Sequence, residues 1–317
     1  MSRKPIRWAA LPGAALLAIS LAACGSGASA DSDSGASGSV AVDGSSTVFP
    51  MSNAAYELLN EENPDIKVTV GSAGTGGGFE KFCAGQTDIS DASRPIKDDE
   101  EVPVCKKNGV KYTELKVATD ALTVVVNKDL KGVDCLTTDQ LVKLWAPGSK
   151  INNWNQLDPK FPDQKIALFG PGADSGTYDY MAGDVIGDES EKTRDDYEAS
   201  EDDNVLVQGV EGTEGATGYF GYTYYEENAD KLNAVAIDDG KGCVKPSAET
   251  ARAGEYTPLA RPLFIYVADK AYADNKAVKE YTDFYIENLE TIAKAGKFIP
   301  LDEEDYSKTK STLTGLG

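Results

Sequence analysis

The sequence contains no histidine, and this absence excludes several kinds of chemistry. Ser-His-Asp and Cys-His catalysis, histidine metal sites and acid–base catalysis by imidazole all need the missing side chain. Positive charge is also scarce, because 31 Lys and Arg stand against 52 Asp and Glu and give a net charge of −21. Nucleic acids and anionic membrane surfaces are recognised by clustered cations, so neither is an expected partner.

The chain does contain enough material for a folded protein of two lobes. Its 317 residues exceed what one hydrophobic core usually organises. The apolar fraction is 41%, and 15 tyrosines, 9 phenylalanines and 3 tryptophans supply large core side chains. This composition excludes global disorder.

The N-terminus has the pattern of an export signal. A basic segment precedes an apolar run at 8–23 that is too short for a comfortable membrane span. The run ends in LAAC at 21–24, which resembles a bacterial lipobox, and in such sequences the cysteine, here Cys24, carries the lipid. A plain secretory signal with an incidental cysteine is the alternative. The basic residues are Arg3, Lys4 and Arg7.

The export signal predicts how the mature chain is attached. Residues 1–23 are the expected signal peptide, and residues 24–38 lack apolar bulk and are expected to form a flexible tether. We therefore expect an exported chain that does not span the membrane and is held at its outer face by a lipid.

Cysteine usage agrees with export. Cys24 is assigned to the lipid, and the four remaining cysteines allow three disulfide connectivities. We favour Cys83–Cys105 and Cys135–Cys243, because each pair then lies within one predicted lobe. Four reduced, buried thiols are the alternative. No metal is expected, since the cysteines lack CxxC spacing and have no histidine beside them.

Short strands alternate with helices, which indicates an α/β architecture with a largely parallel sheet. The apolar run ALTVVV at 121–126 predicts a strand buried inside a sheet, and residues 262–267 predict a second one. The chain could pass between the lobes near these two strands. The lobes are then 39–122 with 259–317, and 123–258.

Three helices are predicted from the local sequence. A helix at 79–84 follows a glycine-rich loop, and a helix at 137–144 has Thr138 and Asp139 as capping candidates. The longest helical stretch is expected at 275–297.

Three loops between strands and helices share one chemistry. Loop 1 is GSSTVFP at 44–50, loop 2 is GSAGTGGG at 71–78, and loop 3 is ADSGT at 173–177. Each places small hydroxyl side chains and free backbone N–H groups at a helix N-terminus, which favours anions. One such loop alone indicates only a helix cap. Loop 2 lacks the Gly-Lys-Ser/Thr ending of a P-loop and does not match a dinucleotide-binding GxGxxG.

These loops carry a resemblance to a known family. Together with TDISDASRPI at 87–96 and GYFG at 218–221, they resemble the phosphate-binding lipoproteins of bacterial phosphate-specific ABC importers. The resemblance covers nearly the whole mature chain. It implies a two-lobed, type II periplasmic-binding-protein fold with a two-strand hinge and phosphate in the cleft between the lobes. It also implies delivery of phosphate to a membrane permease with its ATPase, by a monomer without a cofactor or enzymatic activity.

The resemblance also assigns phosphate-binding residues. Loop 2 contributes a hydroxyl at the helix start, which falls on Thr75, with Ser72 as the fallback. The residues carried over from loops 1 and 3 are Ser46, Thr47, Val48, Ser175, Gly176 and Thr177.

The sequence departs from the family at two positions. Many members have a carboxylate that accepts the proton of phosphate and rejects sulfate, where this chain has Ser93; Asp91 matches only if a gap is allowed. Many members also have an arginine before the Ser-Gly-Thr run, where this chain has GPG at 170–172. Arg94 is the expected replacement guanidinium.

Three other functions stay open. Ser93 allows another tetrahedral oxyanion, such as sulfate, phosphonate or phosphite. An exported phosphatase or glycosidase would need paired carboxylates, but pairs such as Asp98-Asp99 and Asp202-Asp203 arise by chance in so acidic a chain. A lipoprotein sensor or adhesin could keep the same fold without a transport role.

Overall fold

The computed structural model of the chain describes residues 36–187 and 192–316. Strands and helices follow each other as an α/β protein requires. The strands are β1 (Gly38–Gly44), β2 (Ile66–Val70), β3 (Ile89–Ala92), β4 (Tyr112–Asn127), β5 (Cys135–Thr137), β6 (Ala167–Pro171), β7 (Glu198–Ser200), β8 (Ala216–Gly221), β9 (Leu232–Ala234), β10 (Ala236–Asp238), β11 (Cys243–Val244) and β12 (Ala260–Ala268). The helices are α1 (Phe49–Glu62), α2 (Gly74–Cys83), α3 (Glu101–Asn108), α4 (Thr138–Trp145), α5 (Gly176–Asp179), α6 (Asp203–Gly212), α7 (Tyr222–Glu227), α8 (Ala248–Arg252), α9 (Asp269–Asp274), α10 (Lys276–Glu287), α11 (Leu289–Ala295) and α12 (Glu303–Thr314), with a 3₁₀ turn at Trp154–Gln156 and a π-helix at Tyr180–Ile186.

The main sheet is mixed. Within the described ranges it has nine strands in the order β2-β1-β3-β12-β4-β8-β6-β7, with β9 also paired to β4. The pairs β1–β2, β1–β3, β6–β7 and β6–β8 are parallel, whereas β12 and β4 run antiparallel to their neighbours. A smaller sheet has the order β11-β10-β5. The α/β class is therefore confirmed, with parallel strands on both sides of a central antiparallel pair.

The strand β4 joins the two halves of the main sheet. Its first part pairs with β12 as far as Ala121, and its last part pairs with β8 from Leu122 onward. Residues 118–127 are buried throughout, as the apolar run predicts. The two parts of this strand belong to different core clusters: Leu115 and Val117 lie in one, and Val124 and Val126 lie in the other. The boundaries proposed for the two lobes stay a prediction.

Two helices differ in their ends from the sequence prediction. The N-cap of α4 is Thr137, not Thr138 or Asp139: its Oγ1 accepts from the amide of Gln140 at 3.1 Å, and Gln140 Oε1 accepts from the amide of Thr137 at 2.9 Å. The long helix expected at 275–297 is two helices, α10 and α11. Asn288 separates them, because its φ of −103° and ψ of 17° depart from helical values; its side-chain amide also donates to the Phe284 carbonyl at 3.0 Å.

The structure contains both disulfides in the predicted pairing. Cys83 and Cys105 connect α2 to α3, with their Cα atoms 4.1 Å apart. Cys135 and Cys243 connect the two outer strands of the small sheet, with their Cα atoms 6.0 Å apart. None of the helices in the described ranges has the length and apolar character that crossing a membrane requires.

The capping box of α4 predicts how two neighbouring threonines differ. We expect Thr137→Ala to lower the free energy of unfolding by about 1 kcal/mol, because the substitution removes the acceptor for an N-terminal amide. Thr138→Ala is the matched control, since the Oγ1 of Thr138 is buried without a hydrogen-bond partner among the described residues. Urea unfolding measures both, and an equal loss in the two variants would contradict this assignment of the cap.

Candidate functional site

Loop 1 is held by its backbone against the end of β3. Gly44 has a φ of +144°, and a Cβ atom there would lie 2.1 Å from the carbonyl oxygen of Asp91, so only glycine fits. Ser45 donates its amide N–H to the same oxygen at 2.9 Å. The next amides donate to no other described residue and are free to bind a ligand at the start of α1. They belong to Ser46, Thr47 and Val48.

Loop 2 forms the first turn of a helix. The structure corrects the expected start at residue 79, because α2 begins at Gly74. A Cβ atom on Gly78 would lie 2.4 Å from the Cα of Gly44, so the absence of a side chain lets α2 pack directly on the end of β1. One of the glycines that predict a loop, Gly78, therefore serves close helix packing.

Thr75 lies in the first turn of α2 and contacts the residue after β3. Its Oγ1 accepts from the amide of Ser93 at 3.2 Å and lies 3.0 Å from Ser93 Oγ. The two hydroxyls thus share one hydrogen bond, in which either atom can be the donor.

Loop 3 contacts loop 1. Ser175 caps α5, since its Oγ accepts from the amide of Thr177 at 3.2 Å. A Cβ atom on Gly176 would lie 2.6 Å from Oγ1 of Thr47, so this glycine permits the contact between the two loops. The chain continues through α5 into the π-helix, which brings Asp184 to the same place.

A cavity of about 270 Å³ lies beside loops 1 and 2 and the helical segment that follows loop 3. Its lining combines hydroxyl side chains, two arginines and two carboxylates. The lining residues are Ser45, Ser46, Thr47, Gly74, Thr75, Ser93, Arg94, Asp179, Gly183, Asp184 and Arg261.

The structure brings together five of the nine residues predicted for the site. The predicted residues in the lining are Ser46, Thr47, Thr75, Ser93 and Arg94. Val48 is completely buried in the core and does not line the cavity. Ser175, Gly176 and Thr177 are not in the lining, and loop 3 meets the site through the contact of Gly176 with Thr47. The fallback, Ser72, is exposed and is not in the lining either.

The two candidate acceptors for a ligand proton occupy different places. Ser93 lines the cavity, whereas Asp91 is completely buried behind loop 1. Ser52 donates its hydroxyl to Asp91 Oδ1 at 2.8 Å, and Oδ2 has no hydrogen-bond partner among the described residues. Burial raises the pKa of Asp91 to about 8, and the charge of Asp43 adds to the effect of burial. Asp91 is therefore largely protonated at neutral pH.

Arg94 lines the cavity but is already paired. Its Nη1 and Nη2 donate to the two carboxylate oxygens of Glu101 at 2.9 and 2.7 Å, and its guanidinium lies 5.5 Å from the centroid of the Phe79 ring. This bidentate pair raises the pKa of Arg94 above its usual value and balances its charge.

Sequence reasoning missed Arg261, a second arginine in the lining. It lies near the start of β12, donates from Nε to Asp120 Oδ2 at 3.2 Å and from Nη2 to Thr47 Oγ1 at 3.0 Å. Burial raises the pKa of Asp120, and the guanidinium opposes this effect. A single cation at the start of a strand predicted to be buried, 262–267, is the signal that could have found it.

Sequence reasoning also missed the two carboxylates of the lining. Asp179 and Asp184 follow loop 3, on α5 and the π-helix. Ser46 Oγ donates to Asp179 Oδ2 at 3.2 Å, and Arg261 Nη1 donates to Asp184 Oδ2 at 2.9 Å. Across the described ranges, no cluster of carboxylates and cysteines is suited to hold a metal ion.

Comparison with known proteins identifies the family. Residues 29–288 match the model of a PBP superfamily domain. The chain belongs to the PBP superfamily. Protein SphX of Synechococcus elongatus is 45% identical to this PBP-superfamily chain over 283 residues, which cover 87% of this chain and 82% of SphX. The phosphate-binding protein PstS of Staphylococcus saprophyticus is 41% identical over 305 residues, which cover 96% of this chain and 92% of PstS.

Solved structures confirm the expected PBP fold. A crystal structure of a possible phosphate binding protein from Planctomyces limnophilus is 43% identical to this chain, with a TM-score of 0.84 over 89% of this chain and 99% of that one. PstS from Borrelia burgdorferi shares the fold at 23% identity, with a TM-score of 0.62. The PstS relatives are binding proteins by name, which agrees with the expectation that this PBP-superfamily chain is not an enzyme.

Asp91 predicts a pH dependence of stability. Its carboxyl keeps its proton up to about pH 8 in the folded protein, against an ordinary pKa of 3.8. Between these values the folded state holds the extra proton, so the free energy of unfolding falls as the pH rises, by at most about 1.4 kcal/mol per pH unit from this group. We expect Asp91→Asn to remove this slope and to be more stable than the parent at pH 8.

Urea unfolding between pH 5 and pH 8.5 tests this expectation. Asp65→Asn, at an exposed position, is the control and should keep the slope of the parent. If Asp91→Asn showed the same slope as the parent, burial of Asp91 would not be the cause of the fall in the free energy of unfolding with pH.

Proposed function

We propose that this chain is an extracytoplasmic solute-binding lipoprotein that captures inorganic phosphate and delivers it to an ABC importer. The observation that carries the proposal is one small cavity lined by hydroxyls from loops 1 and 2, by Ser93 and by two arginines, in a chain with a net charge of −21. The phosphate-binding PstS relatives support phosphate as the anion.

The hydrogen bonds around the cavity leave donors for an anion. Thr47 Oγ1 accepts from Arg261, so its own O–H is available to a ligand. Between Thr75 and Ser93 one hydroxyl donates to the other, and the second keeps its proton for the cavity. Each hydrogen bond to a charged ligand contributes about 1.5–3 kcal/mol. Affinity for an anion therefore does not depend on lysines.

The size of the cavity supports a small ligand. Its volume of about 270 Å³ lies below the ~300–1,000 Å³ of pockets that hold drug-sized molecules. Together with the lack of a P-loop sequence in loop 2, this size favours free phosphate over a nucleotide.

Sulfate or phosphonate is the second candidate because of Ser93. Near neutral pH phosphate carries a P–OH proton that sulfate lacks, and a carboxylate acceptor repels sulfate more strongly than a serine does. Ser93, and not Asp91, lies in the lining. Asp179 and Asp184 are also in the lining, as carboxylates from α5 and the π-helix.

Export and lipid attachment depend on residues outside the described ranges. The signal peptide, Cys24 and most of the tether lie before residue 36. The basic, apolar and LAAC pattern at 3–24 supports them. The PstS relatives support delivery to an importer, with closure of the lobes as the signal that phosphate is loaded.

The assignment of Thr75 rather than Ser72 can be tested directly. We expect Thr75→Val to weaken phosphate binding by about tenfold or more, because it removes a hydroxyl donor without changing the size of the side chain. Ser72→Ala should bind phosphate within about twofold of the parent. Isothermal titration of the full chain, purified in detergent and freed of phosphate, measures both, and the reverse order would move the site to Ser72.

The same titration with sulfate separates the candidate anions. A heat of binding with phosphate but not with sulfate supports selective phosphate capture. Equal binding of both anions means that the serine at 93 has relaxed selectivity. If neither anion binds, the proposed function is wrong.

Cys24→Ser tests the lipid anchor. We expect the parent chain to fractionate with membranes and the variant to be found in the soluble fraction, because the apolar run is removed with the signal peptide. Mass spectrometry of the N-terminal peptide of the parent should show acyl chains on Cys24. A parent chain cleaved elsewhere and free of lipid would favour a plain secretory signal.

A further inference from the structure

The environment of Arg261 fixes its guanidinium in the cavity. Its side chain is 11% exposed, and its guanidinium carbon lies 3.7 Å from the centroid of the Tyr180 ring, so the guanidinium packs on the ring. Three of its five N–H groups donate to Asp120, Asp184 and Thr47. The remaining two N–H groups, one on each Nη, have no partner among the described residues.

The two carboxylates paired with Arg261 differ in how easily they can be exchanged. The side chain of Asp120 is 7% exposed and lies on the neighbouring strand β4, so loss of its partner would leave a buried charge unpaired. The side chain of Asp184 is 58% exposed, and ion pairs with such an exposed partner contribute little to stability. Asp120 is therefore a permanent partner, and Asp184 an exchangeable one.

We propose that Arg261 is the guanidinium that binds the anion, and that Asp184 occupies its Nη1 group until the anion displaces it. This inference rests on the proposed function. An anion bound to the open N–H groups of Nη1 and Nη2 and to the hydroxyl of Thr47 makes a bidentate contact and competes with Asp184 for the charge of the guanidinium. Asp184 belongs to the π-helix after loop 3, and Thr47 belongs to loop 1. The release of Asp184 therefore couples anion binding at loop 1 to the π-helix.

Arg94 is less suited to this role. Both of its Nη groups donate to Glu101, whose side chain is only 14% exposed, so an anion would have to break a partly buried bidentate pair. Arg261 gives up a single contact to an exposed carboxylate. The two arginines of the lining therefore predict different results on substitution.

The test is isothermal titration of the full chain, freed of ligand, with inorganic phosphate. We expect Arg261→Gln to weaken binding by about 10–100-fold, the effect of losing a charge-assisted contact. Asp184→Asn should strengthen binding by about two- to fivefold, because it removes the competitor. In the Arg261→Gln background, Asp184→Asn should have no effect. Arg252→Gln and Asp99→Asn are matched controls outside the cavity and should bind as the parent does.

Each outcome decides between distinct explanations. A parent that binds phosphate together with an Arg261→Gln variant of equal affinity overturns the inference and leaves the proposed function intact. An Asp184→Asn variant that binds no more tightly than the parent, or a gain that persists without Arg261, also overturns it. If Arg261→Gln does not fold, the comparison of Asp184→Asn with Asp99→Asn decides. A parent that binds no phosphate overturns the proposed function itself.

Discussion

Three backbone segments approach each other at Gly44 more closely than side chains would permit. A Cβ atom on Gly44 would clash with the carbonyl of Asp91, and a Cβ atom on Gly78 would clash with the Cα of Gly44. As a result the end of β1, the first turn of α2 and the end of β3 share one edge of the sheet, where parallel strands commonly place ligands. Thr47, Thr75 and Ser93 come from these three segments, so the cavity depends on this contact before any side chain contributes.

The net charge of −21 makes the choice of donors important. Backbone amides and hydroxyls add no net charge, and their dipoles act at short range, so the acidic surface does not prevent them from binding an anion. The two arginines are each placed by carboxylates, which keeps their guanidinium groups ordered. In the proposed site the donors are therefore oriented before an anion arrives.

The local features of the sequence predicted much of this arrangement. The apolar run in β4 follows from neighbouring residues, and the hydroxyl residues of loops 1 and 2 follow from a resemblance carried by their motifs. The pairing of the cysteines follows from placing each pair within one predicted lobe. The start of α2 could not be predicted, because glycine disfavours helices and the close contact of Gly78 with Gly44 is formed only in the folded chain. Arg261 and Asp184 also escaped prediction, because strand pairing and the π-helix bring them to loop 1 from more than a hundred residues away.

Asp91 resolves an electrostatic conflict behind loop 1. Its backbone carbonyl must stay there, because it accepts from Ser45 and sets the position of the loop. An ionised carboxylate at the same place would repel an anion through a medium that screens charge poorly. Burial keeps this acid largely protonated at neutral pH, so the residue that anchors the loop adds little negative charge beneath it. The burial that makes Asp91 a neutral acid is therefore compatible with an anion bound at loop 1.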